Sequence, residues 1–179
     1  MTATNRTTAK TFIKLLKVNQ DKVTSLFEEF EGLHEKKNSN DRKAELVNQI
    51  CRELTLHTLV EEKIVYPLAR KSIDDTDVMD EADVEHAGAK NLIKDLEKMD
   101  PDDSHYDAKV TVLSEYIKHH VKEEEATMFP ELEKAGIDGE EIAQEVLQFK
   151  EKHQDSKSAS PKSTAEKSSS KSKVAHSSK

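Results

Sequence analysis

Two histidine–glutamate pairs, His57 with Glu61 and His120 with Glu124, combine residue types and spacing that can do chemistry. Four residues is about one turn of α-helix, so each pair sets an imidazole and a carboxylate on one helix face. Both pairs interrupt apolar stripes. The first stripe runs through Leu46, Ile50, Leu54, Ile64 and Leu68, and the second through Leu113, Ile117 and Met128. A third histidine, His86, interrupts a stripe of Ala82, Ala89, Ile93 and Leu96. Residues on such stripes face the interior of a helical protein. Burying an unpaired carboxylate is costly, and two that face each other repel, so a cation is expected between them. Imidazole nitrogen with carboxylate oxygen suits iron, manganese or zinc. Carboxylates can bridge two ions while each histidine holds one from its own side. The five residues are therefore read as ligands of a metal pair, iron first, with manganese or zinc as alternatives. The plainer reading is a hydrogen-bonded polar network that sets the bundle's register. One His-x-x-x-Glu is weak support for a metal, whereas two in register with a core stripe and joined by a third core histidine are stronger.

Other candidates rank lower. His119 with Glu123 repeats the spacing but falls off the stripe, which places it on a solvated face. Glu62, Glu123 and Glu125 read as surface charges. His34 and His105 lie near helix ends, where capping and dipole roles are ordinary; His153 and His176 lie in or beside the tail. Tyr116 stands one turn before His120, within reach of the ions or of the groups around them, although a core tyrosine with its hydroxyl at the boundary is the commoner case. Tyr66 reads the same way. The single Cys51 excludes an internal disulfide framework and a cysteine-rich metal site, and reads as an inert, partly buried thiol.

The elements that must position these residues are helices. The 179 residues are 36% charged and 34% hydrophobic, with four Gly, four Pro and no Trp, which leaves few turn residues for hairpins. Apolar periodicity predicts helices over Thr8 to His34, Asp41 to Arg70 and Val78 to Met99. A fourth begins near Ser104, and a short fifth spans Gly139 to Lys152. Asp41 and Ser104 are candidate caps, Asp100-Pro101 breaks the pattern, and Pro130 is expected to kink or stop the fourth helix. The fold expected is all-α, an up-down four-helix bundle with a short fifth helix over residues 1–153. Residues 154–179, dominated by Ser and Lys, are expected to be disordered. Their six lysines against two acids mean that the chain's net −8 is −12 over the remainder. That charge argues against a nucleic-acid partner. No apolar run is long enough for a membrane span and no secretory h-region follows Met1, so the expectation is a cytoplasmic protein.

The chain resembles the hemerythrin HHE cation-binding family over roughly Thr8 to Lys134. The resemblance rests on LLKVNQDKVTSLFEEFE, HTLVEEKIVYP, EHAGAK and HHVKEEEATMFPELE, in which each His-x-x-x-Glu is followed by an aromatic-Pro pair, Tyr66-Pro67 or Phe129-Pro130. It implies a four-helix bundle around a non-haem di-iron centre, with His57, Glu61, His86, His120 and Glu124 as ligands. Two positions depart from the family pattern. Asn19-Gln20 stands where the first helix usually carries Asp-His, so Gln20 is a weak ligand, a hydrogen-bond partner of a metal-bound water, or no ligand. Lys90 follows His86 by four residues, where oxygen carriers have a further histidine; reaching out to solvent is its ordinary role.

With three histidines and two glutamates, the set is poorer in nitrogen than an oxygen carrier's. The expectation is a centre that reacts with or senses oxygen, peroxide or nitric oxide, in stress response or iron handling. Peroxidase- or catalase-like turnover is a further possibility. The alternative is a degenerate bundle with one metal or none, serving a protein partner. A monomer or weak homo-oligomer is expected.

Overall fold

A computed structural model describes residues 5–154, apart from 35, 37, 75, 76 and 138. The described residues form helices joined by turns, with no strand among them, as expected. Helix α1 spans Asn5–Glu31 and α2 spans Asn40–Val60. A π-helical turn, Glu61–Val65, joins α2 to α3 (Tyr66–Ser72). Helix α4 covers Asp77–Leu96 and α5 covers Tyr106–Glu123. A second π-helical turn, Glu124–Met128, leads into α6 (Phe129–Lys134), and α7 covers Gly139–Gln154. The tail beyond Gln154, expected to be disordered, lies outside the described residues.

Consecutive rods are neighbours: α1 packs on α2, α4 on α5, α2 touches α4, and α5 returns beside α1. That closes an up-down bundle, onto which α7 packs along α1 and against α2. No helix of the described residues is long and apolar enough to cross a membrane.

The core has two apolar clusters. One gathers Phe12, Leu16, Val65, Met79, Ala82, Met128 and Leu132 with Ala143 and Val146 of α7. The other gathers Val23, Phe27, Phe30, Leu54, Ala89, Ile93, Leu113 and Ile117. Along each of the four rods the chain passes from one cluster to the other through a buried polar position. Gln20 lies between Leu16 and Val23, His57 and Glu61 between Leu54 and Val65, His86 between Ala82 and Ala89, and His120 with Glu124 between Ile117 and Met128. The polar residues thus form one layer across the bundle, sealed on both sides by hydrocarbon.

Two local expectations change. Asp41 and Ser104 are not caps: α2 starts one residue before Asp41, and the residues preceding α2 and α5, Ser39 and His105, make no side-chain cap bond. Ser39 instead turns its hydroxyl back to the carbonyls of Lys36 and Leu33, closing a turn in which Asn38 adopts the left-handed conformation at φ 60°. The long second helix, expected to run unbroken to Arg70, is interrupted before Pro67 as the fourth is before Pro130. Proline lacks an N–H, and its ring clashes with the carbonyl four residues back. The helix relieves that clash by widening, so that the Tyr66 N–H reaches Glu61 O and the Phe129 N–H reaches Glu124 O, five residues back. Neither rod is stopped. The extra residue shifts the buried stripe after Glu61, so Val65, Tyr66 and Ala69 are buried and Leu68, expected on the stripe, is only half-buried.

Candidate metal centre

Each π turn begins at a glutamate of a His-x-x-x-Glu pair. The Glu61 and Glu124 amides are still held by α-helical carbonyls, His57 O and His120 O, so each histidine and its glutamate stay one turn apart. The widening falls just after them and brings Tyr66 into the layer. All five residues predicted as ligands are buried: His57 4%, Glu61 0%, His86 1%, His120 3% and Glu124 2% exposed.

They form two triads that share Glu61. Glu61, His86 and His120 present ligand atoms within 4.8 Å of one another, and so do His57, Glu61 and Glu124. His57 Nε2 lies 2.8 Å from Glu61 Oε1, while the other oxygen, Oε2, faces His86 Nε2 at 3.3 Å and His120 Nε2 at 3.9 Å. His120 Nε2 is 3.5 Å from Glu124 Oε1.

The outward nitrogens show how the rings are held. His86 Nδ1 lies 3.2 Å from Glu62 Oε1, and His120 Nδ1 lies 2.9 Å from Glu85 Oε2. A carboxylate on Nδ1 takes up that N–H and leaves the Nε2 lone pair pointing into the layer, the tautomer a metal requires. The two inward nitrogens stand 3.3 Å apart. Two lone pairs at that separation are favourable only with a proton or a cation between or beside them.

His57 Nδ1 and Gln20 Oε1 are buried with no hydrogen-bond partner, and the close approaches of His57 Nε2 and of both Glu61 oxygens lack hydrogen-bond geometry. Such orphans are costly in a dry interior unless something else satisfies them. Two carboxylates, three imidazoles and an amide oxygen are hard and borderline donors that fit a divalent transition metal. The residues present therefore suit a cation.

Charge within the layer is unevenly shared. Burial would raise the Glu61 carboxyl, but attraction to His57 and the approach of His120 and His86 hold it well below the usual carboxylate range. Burial and the facing charge of Glu61 push Glu124 well above that range. Burial opposes the His120 imidazolium, yet the attraction of Glu124 and Glu61 outweighs it and carries the group up to about 10. Without a metal, the Glu61 carboxylate and the His120 imidazolium favour each other's charge.

Three residues take roles that spacing did not indicate. Tyr66, read as a boundary tyrosine, is 3% exposed, and its hydroxyl donates to Glu124 Oε1 at 3.3 Å while lying 3.3 Å from His86 Nε2 and 3.5 Å from His120 Nε2. Burial and the nearby Glu61 and Glu124 charges push its phenol far above the ordinary value, so it stays a neutral donor. Its signal was the aromatic-Pro pair, in which this copy has Tyr and the other has Phe129. Glu62, read as a surface charge, holds His86, and Glu85 holds His120 in the same way. Their signal was adjacency to a core position, each being next to a residue of the layer.

Tyr116 is a correction. It is 46% exposed and its ring lies over Gly88, where a Cβ would meet it at 3.0 Å, so the structure does not bring it to the layer. The reason is geometric: a residue one turn before His120 needs to share its face, and at this position Ile117 takes the inward place. Lys90 does reach outward, as expected, and its ammonium ends on Glu62 Oε1. Gln20 lies in the layer, donating from Nε2 to Glu124 Oε2 at 2.8 Å. Asn19 turns away and donates to Glu53 Oε2 at 2.9 Å.

Comparison with known proteins bears on the same span. The hemerythrin HHE cation binding domain family matches residues 11–132, from the first turns of α1 to the end of α6. The chain belongs to this family. Within the matched span, Gln20 brings an amide into the layer and Lys90 braces the Glu62 carboxylate. A protein of Nostoc sp. named DNA nickase is 26% identical over 136 residues, covering 76% of this chain. The match takes in only 37% of that relative's length. No solved structure gives a significant match.

Proposed function

We propose that this hemerythrin-family chain is a cytoplasmic non-haem di-iron protein that reacts with or senses oxygen, peroxide or nitric oxide, in stress response or iron handling. The observation that carries this reading is the shared carboxylate. Glu61 belongs to both triads, so two ions, one in each, would share one carboxylate. His86, His120 and Glu61 would hold one ion; His57, Glu61 and Glu124 would hold the other. An iron pair supplies redox chemistry and open coordination positions for a small ligand. The chain's own residues orient and seal. Glu62 and Glu85 set the imidazole tautomers, Tyr66 offers a neutral hydroxyl beside Glu124, and the two apolar clusters exclude bulk water. The test is metal analysis and an optical spectrum in air after anaerobic loading with ferrous salt. About two irons per chain are expected, with binding lost in His57→Ala and His120→Ala. Absence of iron uptake would overturn the reading. Peroxide turnover that scales with iron content would assign a peroxidase- or catalase-like activity to the centre.

One observation favours a second reading, a bundle with a single firmly held metal and a non-catalytic role. The two positions are unequal: one triad has two imidazoles, whereas the other has His57 alone, with Gln20 beside it. An amide oxygen is a weaker donor than imidazole. A metal ratio near one, rising towards two in Gln20→His, would establish it. DNA nicking stands outside both readings, because the relative so named is matched over little more than a third of its length and this chain carries a net −8.

A further inference from the structure

Helix α5 carries the His-x-x-x-Glu spacing twice in adjacent registers, His119 with Glu123 and His120 with Glu124. One residue turns a helix by roughly 100°, so when one pair faces inward the other faces out. The outward pair does not stand alone. His119 Nε2 lies 3.0 Å from Glu123 Oε1 and 3.5 Å from Glu85 Oε1, a carboxylate brought over from α4. We propose that Glu85, His119 and Glu123 form a peripheral site for a divalent transition metal of the zinc or ferrous class, outside the buried layer.

Three observations support the site. The ligand atoms of the three residues lie within 4.8 Å of one another, the same convergence as in each buried triad. Glu85 is already oriented: its Oε2 is engaged by His120 Nδ1 at 2.9 Å, which leaves Oε1 directed at His119. The cluster also draws no permanent cation. Among the described residues neither Glu85 nor Glu123 has a lysine or arginine partner, although the chain holds 28 such cations. The contrast with Glu62 is informative, because that carboxylate braces His86 in the same way but is capped by Lys90. Glu85 meets an imidazole and a second carboxylate instead. Side-chain exposures of 23% for Glu85 and 32% for Glu123 partly shield the two charges, while His119, at 63%, leaves the site open to solvent. One nitrogen and two oxygens with open positions for water match the requirements of zinc or ferrous iron.

The site stands whatever the buried layer holds, and the experiment keeps the two apart. Zinc is titrated calorimetrically into the full-length protein, into His119→Ala and into Glu123→Gln, with Lys122→Ala as a surface control and far-UV circular dichroism as a check on folding. The wild type and the control are expected to take up one more equivalent than either site variant. Identical stoichiometry in all four proteins overturns the proposal. A buried layer that binds no zinc would remove equivalents from all four alike and leave the difference readable.

Discussion

Glu62 is exposed enough to look like an ordinary surface acid, yet its contact with His86 Nδ1 gives it a share in whatever the Nε2 atom does. Carboxylates that orient a ligand histidine contribute about 10–100-fold to metal affinity. Glu62→Gln is therefore expected to weaken metal binding by about that factor with little change in helix content, as read by competition with a chromophoric chelator. Unchanged affinity would mean that the His86 ring is set by packing alone. The His120 shift gives a pH dependence with a definite sign. Its protonated form is favoured in the fold up to about 10, against an ordinary 6.5. In the metal-free chain that contribution is complete below 6.5 and is lost as pH rises through about 10. A metal must displace that proton, and the raised Glu124 carboxyl adds to the preference for binding at higher pH. Metal uptake near neutral pH is expected to release at least the His120 proton and to tighten as pH rises. Calorimetry in buffers of different ionisation enthalpy measures the number; a value of zero contradicts the charge assignment.

At the scale of elements, the π turns are the devices that make the layer. Both open at a ligand-type glutamate, and both sit ahead of a proline that forbids a regular α-turn. Without the widening, the residues after Glu61 would keep α-helical register, moving Tyr66 off the layer and Leu68 onto the stripe. Pro67→Ala restores the missing N–H and removes the ring clash, so the rod is free to close into regular helix. The expected result is a chain that stays folded by circular dichroism but holds metal less tightly, with a parallel and smaller effect for Pro130→Ala, where Phe129 brings no hydroxyl to the layer. Full metal retention in both variants would show that tertiary packing, not proline, imposes the π turns.

For the whole molecule, the buried layer is where stability and function meet. The four rods enclose two apolar clusters, and the layer between them carries buried polar atoms without hydrogen-bond partners that a bound cation would satisfy. A cation that binds the folded chain and not the unfolded one stabilises it in proportion to its occupancy, by roughly 3 kcal/mol at a hundred times its dissociation constant. The thermal midpoint is therefore expected to rise by several degrees on metal loading and to fall back on adding chelator. A midpoint indifferent to both would favour the polar-network role of the layer. Helix α7 belongs at this scale too: Ala143 and Val146 complete the cluster on the side of α3 and α6, so the fifth helix is part of the core rather than an appendage.

The helical class, the four long rods, and the inward placement of Gln20, His57, Glu61, His86, His120 and Glu124 were legible in the sequence, because each follows from side-chain periodicity along one helix. The resemblance added the expectation of a metal pair. What periodicity does not carry is the relation between helices, or a change of period within one. The partners Glu62 and Glu85 come from neighbouring rods and became visible only when the rods were packed side by side. Tyr66 entered the layer because a π turn changed the period after Glu61, while Tyr116, one turn from a ligand-type histidine, was drawn to Gly88 instead. The outward His119–Glu123 pair was rightly placed on the surface by its register, but the second carboxylate that makes it more than a solvated pair, Glu85, arrives from α4. Local spacing determined which face each residue takes; only the tertiary structure decided what meets it there.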